Sequence, residues 1–447
     1  MGMSKGTDVF GYVSSAPDFA LQYASPHRAN TVFSTPTTML SGHHEISESD
    51  IGFFEHTGRL SLSALVHSLP VGRSKYAEIA PSTGNLGDCP VANMFATTSE
   101  VAPSYTLSYG FFDAPRGDSD QMYAYLTSDM SNWMANTAAK KPSLQTRPLS
   151  TFVLPGSHDA GMFTALTNKD AATLLKDMIN NYQSQYKVAE IIGSLAFPGI
   201  GRAIAVINGV VQAAAATGIS DTPRQALVNL AMTQKDSIAT QLALGVRYFD
   251  FRPGHDVSFS SQRTDKLRHQ HLFIPGYRFD LFLSDVVVFL TSHPGEIVIV
   301  GLSSSGFMEE GMKATPQEIQ AYIDAATKQT SLVTGTESDF GTSYASLIQQ
   351  NKRLLFAKCS SLTGCQNSYS DDAYKTTSPA PVLAALKATV NTPATWTVLQ
   401  LQGTSTATEW GLMQVVTKSD ASSPLLGTKA KFDNVTYKWL ANPATAS

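Results

Sequence analysis

The chain has 447 residues and carries 32 basic against 36 acidic side chains, for a formal net charge of -4. That balance provides no long-range positive field, which excludes nucleic acid or a strongly anionic membrane as a partner captured by charge and makes any phosphate recognition local. The length exceeds what one hydrophobic core usually holds, so one large domain and one smaller domain are expected.

The amino terminus, Met1 to Val9, is polar and lacks the apolar core of a signal peptide, and Gly6 stands where a myristoylation pattern requires Ser or Thr. A cytoplasmic location is expected, or a secreted one if a leader was removed. Up to about Asp129, short apolar or aromatic runs such as Leu60 to His67 and Tyr105 to Phe112 alternate with Gly, Pro, Ser and Asn clusters, which predicts a small β-rich domain over residues 1–130. His43-His44-Glu45 within it lacks zinc-ligand spacing. Around Trp133 the texture becomes helical, Lys140-Lys141-Pro142 follows, and Thr151 to Leu154 reads as a strand opening a second domain over 131–447.

Residues 162–233 form a long insertion, and between Val188 and Ile219 the only charges are Glu190 and Arg202. Pro198, Gly199 and Gly201 interrupt that stretch, so it predicts a helical hairpin packed on the domain rather than a membrane span. Beyond it strands and helices alternate, the pattern of an α/β protein with a parallel sheet or barrel. Leu283, Val286, Val287 and Leu290 follow helical spacing, His293-Pro294-Gly295 ends the helix, and Ile297 to Leu302 is a continuous apolar strand. Thr315-Pro316-Gln317-Glu318 predicts a capped helix running to about Lys328, and Leu354 to Ala357 and Thr397 to Leu401 predict further buried strands. Of the three cysteines, Cys359 and Cys365 are spaced to bridge a short loop, but two buried thiols and a spare are the expectation.

Two segments carry the chemistry. Leu154 to Gly161 reads Leu-Pro-Gly-Ser-His-Asp-Ala-Gly, and Gly245 to Arg252 reads Gly-Val-Arg-Tyr-Phe-Asp-Phe-Arg; each resembles an apolar strand ending in residues that move protons or hold an anion. His158 sits between glycines that leave room for a ligand, and imidazole titrates near neutrality. Alternation along the second segment places Tyr248, Asp250 and Arg252 on one face and Phe249 and Phe251 on the other, so Arg252 presents a fork of donors matched to phosphate oxygens, with Asp250 orienting it. Further on, His269 and His271 share a face if the chain is extended there, and either is placed to protonate a leaving oxygen; His271 is favoured because it directly precedes an apolar run. His255 and His293 read as structural or solvated.

In this order, Trp133, the Leu154 to Gly161 loop, Gln234 to Ile238, Gln241-Leu242, Gly245 to Arg252, His271, Phe289-Leu290, His293-Pro294 and Glu296 resemble the X-type catalytic domain of phosphatidylinositol-specific phospholipase C, in its bacterial-type branch. The resemblance covers about two thirds of the chain. It implies a distorted TIM-type (β/α) barrel and internal transfer, in which an inositol hydroxyl attacks phosphorus and diacylglycerol leaves. It implies His158 as general base, His271 as general acid, Asp159 as the carboxylate supporting the acid, and Arg252 as the phosphate clamp, with Lys358 as a contact for inositol or phosphate. The Asp250 and Arg252 pair stands where calcium-binding relatives carry two carboxylates, so no metal and no cofactor are expected. A phospholipid substrate and transient contact with a membrane surface follow; nucleic acid does not, and no protein partner is indicated.

The sequence departs from the resemblance in the 162–233 insertion, in Leu272 after His271, and in ending at Ala441 to Ser447, where a strand with a carboxylate supporting the base is expected. Two other readings compete: a metal-dependent glycerophosphodiesterase or phospholipase D-like enzyme, and a catalytically silent module that binds lipid headgroups.

Overall fold

The computed structural model describes residues 6–14, 18–24, 31–34, 38–45, 58–79, 97–112, 120–164, 231–256, 265–271, 274–307, 310–404 and 424–442. Most of the 162–233 insertion, and with it the hairpin expected over 188–219, lies outside these. The chain divides into two compact units: Met1–Asp129 with Ser370–Ala384 and Leu401–Ser447, and Met130–Tyr369 with Ala385–Gln400. Residues 370–384 and 401–447, read from the sequence as part of the second domain, thus group with the amino-terminal strands.

The first unit has two sheets. One has the order β4 (Thr38–Glu45), β1 (Gly6–Val13), β9 (Asp120–Thr127), β8 (Thr106–Phe112), β7 (Glu100–Val101), and the other β3 (Thr31–Ser34), β2 (Phe19–Ala24), β5 (Gly58–Val66), β6 (Leu69–Ile79). Period-2 alternation in β5 buries Leu60, Leu62, Ala64 and Val66 against Val9, Leu107, Phe111, Met122 and Leu126 from the other sheet. The β5–β6 hairpin turns through His67 and Ser68 at φ 51 and 63, the mirror-image turn that matches strand twist. The helix Pro424–Leu440 covers the outer side of the first sheet, where the Tyr125 hydroxyl donates to Asp433 Oδ2 at 2.7 Å.

The second unit is mixed α/β and holds a five-stranded parallel sheet in the order β10 (Gly156–Ser157), β11 (Tyr248–Phe251), β15 (Val298–Leu302), β17 (Lys352–Ala357), β16 (Val333–Thr336). Both faces are covered, as parallel sheets require. On one, Phe249, Phe251, Val298, Val300, Leu354 and Phe356 pack with Phe282, Leu283, Val286 and Leu290 of a helix over Phe279–Ser292. On the other, Ile299 and Leu355 pack with Met134 and Ala138 of the helix Trp133–Lys140 and with Tyr344 and Leu347. The helix Pro316–Thr327 opens with the expected reciprocal cap: the Glu318 N–H donates to Thr315 Oγ1 at 3.2 Å and the Thr315 N–H to Glu318 Oε2 at 2.7 Å.

A short antiparallel ribbon, β12 (Pro253–Gly254), β13 (Arg268–His271) and β14 (Ile274–Arg278), follows β11, and β18 (Cys365–Asn367) and β19 (Trp396–Val398) form a separate parallel pair. Among the described residues the parallel sheet stays open rather than closing into the expected barrel.

Other expectations are corrected. Thr151 to Leu154 is not a strand: a 3-10 turn occupies Leu149–Thr151, and pairing begins only at Gly156, because Pro155 has no N–H to give to a ladder and its carbonyl instead accepts from the N–H groups of Arg247 and Tyr248. The strand expected over Thr397 to Leu401 ends at Val398. Cys359 and Cys365 are joined in a disulfide with Cα atoms 5.1 Å apart, not free thiols. Among the described residues no helix is long and apolar enough to cross a membrane.

Candidate active site

His158 follows β10 and Arg252 follows β11, so both emerge at the carboxyl ends of adjacent parallel strands. The His158 loop is fixed by backbone bonds that its short, polar sequence allows. The Ala160 N–H donates to the Asp250 carbonyl at 2.9 Å and the Met162 N–H to the Asp159 carbonyl at 2.9 Å. Asp159 occupies left-handed backbone at φ 46, a conformation Asp tolerates better than most residues, and this turns its carboxylate inward. A Cβ at Gly161 would overlap the Cβ of His269, so the glycine of the motif is needed for the loop to lie against β13.

Asp159 is the hub. Its carboxylate is 1% exposed, and Arg252 Nη2 lies 3.0 Å and His269 Nε2 3.3 Å from Oδ1, while His158 Nε2 lies 3.0 Å and His271 Nε2 3.8 Å from Oδ2. Asp250 closes the cluster, with Oδ2 3.1 Å from Arg252 Nη2 and 3.2 Å from His158 Nδ1, and it also accepts the Asp159 N–H at 3.2 Å. The His158 Nδ1 contact is within reach of charge attraction but off the line of a hydrogen bond. Arg252 Nε–H is buried without a hydrogen-bond partner among the described residues.

Charge follows geometry. Burial opposes the His158 imidazolium, but Asp159 and Asp250 outweigh it and push its pKa up to about 9. Burial would raise both aspartates, yet Arg252 and His158 beside them hold Asp159 and Asp250 below the usual carboxylate range. His269 and His271 are both lowered, first by burial, with Arg252 adding to it. The ligand atoms of His158, Asp159 and Asp250 all lie within 4.8 Å of one another, close enough to attract a cation, and the Arg252 guanidinium already stands between the two carboxylates.

Of the residues singled out in the sequence, His158, Asp159, Asp250, Arg252 and His271 are brought together. Lys358 is exposed at the end of β17 and lies outside the cluster. His269 and His271 are now distinguishable: His269 is fully buried, its Nδ1 accepting the Arg252 N–H at 3.2 Å and its Nε2 facing Asp159, so both nitrogens are committed. His271 retains an accessible edge, 18% exposed, with only Nδ1 tied, to the Ala231 carbonyl at 2.9 Å. His255 pairs with Glu318 and His293 bonds to the Phe289 carbonyl, both structural.

Sequence reasoning missed the residues that hold the loop from behind. Gln234 Nε2 donates to the His158 carbonyl at 2.7 Å, Thr233 Oγ1 to the Asp159 carbonyl at 3.1 Å, and Gln241 Nε2 to the Ala160 carbonyl at 3.4 Å. Gln234 and Gln241 stood in the quoted motifs.

No family model matches the chain, and no curated protein matches it. Solved structures of the phosphatidylinositol-specific phospholipase C from Staphylococcus aureus do align. One, concerned with modulation of membrane binding, shows 17% identity and a TM-score of 0.29 over 51% of this chain and 52% of that one, so the alignment spans about half of that protein's length. Two structures of mutants of the same enzyme each show 16% identity, with TM-scores of 0.34 and 0.35 over 60% of this chain and 75% and 76% of theirs.

Proposed function

We propose that this chain is a phosphodiesterase of the phosphatidylinositol phospholipase C type, cleaving an inositol phospholipid with a histidine pair and an arginine clamp and without a metal ion. The observation that carries the reading is the convergence of His158, Arg252 and His271 on the one buried carboxylate of Asp159 at the ends of β10 and β11. Two imidazoles beside Asp159 Oδ2 and a fixed guanidinium at its Oδ1 meet the needs of phosphoryl transfer: one proton is taken from the attacking hydroxyl, one is given to the leaving oxygen, and charge on the phosphorane oxygens is balanced. Arg252 Nη2 is held by two carboxylates, which fixes the guanidinium at the strand ends. A permanently charged guanidinium in that position stands where a divalent cation would otherwise bridge the aspartates.

The role expected of a carboxylate from a further strand falls to Asp250, which lies on the Nδ1 side of His158. Incubation with phosphatidylinositol in excess EDTA, followed by phosphorus NMR, tests the reading. A cyclic inositol phosphate at an unreduced rate is expected. Turnover that the chelator abolishes would favour a metal-dependent phosphodiesterase built on the His158, Asp159 and Asp250 triad, and vesicle binding without product would favour a silent headgroup-binding module.

A further inference from the structure

We propose that Tyr248 is a substrate contact separate from the groups that move protons or hold phosphate: its hydroxyl and Asp250 Oδ1 together bind a hydroxyl of a cyclic polyol headgroup. The inference rests on the phosphodiesterase reading above and names a residue that selects the alcohol presented to phosphorus.

Tyr248 lies on the catalytic face of β11, two residues before Asp250 and four before Arg252. In register it stands beside Ile299 of β15, yet its ring leans towards the carboxyl end of the sheet, because a Cβ at Gly301 would overlap the Tyr248 hydroxyl. Gly301 is the register partner of Asp250, and residues paired across parallel strands face the same way, so the hydroxyl is carried up to the level of the Asp250 carboxylate. On the other flank Gly156 of β10 is also bare, its Cβ position 3.4 Å from the ring. Two glycines thus leave a lane for this side chain, with Trp396 against the ring at a centroid distance of 6.4 Å.

The oxygen at the end of that lane is unspent. Tyr248 is half-buried, and its hydroxyl makes no hydrogen bond among the described residues. Packing asks for no oxygen there: the ring sits against the apolar cluster that holds Ile299, Leu355 and Trp396, and a phenylalanine would fill the same space. Asp250 has a matching unspent atom. Its contacts with Arg252 Nη2, His158 Nδ1 and the Asp159 N–H are all made by Oδ2, which leaves Oδ1 without a hydrogen bond among the described residues, on a side chain 15% exposed. Burial first, and then the Asp250 charge, raises the pKa of Tyr248, so the phenol keeps its proton and acts as a donor.

These two atoms define the chemistry of what fits between them. The ligand group must accept from a phenol and donate to a carboxylate. A phosphate oxygen has no proton to give and is repelled by Asp250, whereas an ammonium can donate but cannot accept. A hydroxyl does both. Arg252, the phosphate clamp, lies two residues further along β11, roughly 7 Å on. That span suits a phosphate on one carbon and a hydroxyl on the far side of a polyol ring.

Tyr248→Phe removes one oxygen and keeps the ring. Its kcat/KM on phosphatidylinositol is expected to fall roughly tenfold, the scale of one hydrogen bond to substrate, and the inhibition constant of free myo-inositol to rise by a similar factor. Inhibition by inorganic phosphate is expected to stay within about twofold of wild type, and the thermal midpoint to be no lower, since the lost hydroxyl bonds nothing in the free protein. The carbon-13 resonance of the Tyr248 ring carbon that bears the hydroxyl, assigned by its loss in the variant, is expected to move when myo-inositol is added to wild type. A variant within about twofold of wild type on the lipid, an equal weakening of myo-inositol and phosphate, or an unmoved resonance overturns the inference while leaving the phosphodiesterase reading intact. A wild-type chain inert towards phosphatidylinositol removes that reading and the inference with it.

Discussion

Arg252 illustrates why residue identity matters more than charge in this site. Its Nη2 touches Asp159 Oδ1 at 3.0 Å and Asp250 Oδ2 at 3.1 Å, and its backbone N–H bonds to His269 Nδ1 at 3.2 Å, so one residue ties together the ends of β10 and β11 and the ribbon strand β13. A lysine would keep the positive charge and three donors, but they converge on one nitrogen and lack the planar fork that spaces donors to match carboxylate and phosphate oxygens. Arg252→Lys is expected to lower turnover of phosphatidylinositol by about 100-fold or more, the scale of removing one transition-state donor, with a thermal midpoint close to that of wild type. A rate within threefold of wild type would show that point charge alone suffices. His269 marks the limit of local reading: it and His271 belong to one four-residue strand, and only their bonds to Asp159, Arg252 and Ala231 tell a committed ring from an available one.

At the scale of elements, the site depends on β11 starting in a fixed place, and a fully buried ion pair does this. Arg247 Nε donates to Glu296 Oε2 at 2.8 Å, and its Nη atoms donate to the carbonyls of Leu242, Val246, Met130 and Ser131 at 2.8 to 3.0 Å. Glu296 in turn accepts the N–H of Ala135 at 3.0 Å, at the amino-terminal turn of the helix Trp133–Lys140, where the helix dipole favours a carboxylate. Every polar atom of a buried guanidinium is thus spoken for, which is the condition under which such a pair is tolerated. Glu296→Ala leaves that guanidinium buried and unpaired, and a loss of about 3 to 5 kcal/mol in unfolding free energy is expected from urea denaturation. A loss below about 1 kcal/mol would mean that water or carbonyls can take over the role. The motif Gly245 to Arg252 was legible as a strand, and the alternation that sets Asp250 and Arg252 apart from Phe249 and Phe251 puts Arg247 on the side of the phenylalanines; what the sequence did not offer was the partner, Glu296, that lets a guanidinium sit fully buried there.

For the molecule as a whole, the clustered charges predict how stability varies with pH. His158 is raised to about 9, so its contribution is complete below its ordinary value near 6.5 and is lost as pH rises through about 9, at most about 3 kcal/mol in all. Asp159 and Asp250 are lowered, so their contributions are present above about pH 4 and fade in acid; His269 and His271 are also lowered and withdraw stability as pH falls below about 6.5. Unfolding free energy is expected to peak near neutrality and to decline on the alkaline side between about pH 7 and 9, with that decline flattened in His158→Ala. An alkaline limb unchanged in the variant would remove His158 as its source.

Read alone, the sequence determined the alternation of strands and helices, the capped helix at Thr315, the shared face of Asp250 and Arg252 and the short list of residues able to move protons, because each is written in local periodicity or in a side chain's own chemistry. Tertiary structure decided the rest. Pro155 shortened the first strand to two residues and Cys359 paired with Cys365 six residues on, while the helix Pro424–Leu440 joined the amino-terminal strands, its partners lying some three hundred positions away in sequence. It also set the surroundings of the two imidazoles, because the groups that face Nδ1 of His158 and of His271 are Asp250 and the Ala231 carbonyl, 92 and 40 positions away in sequence.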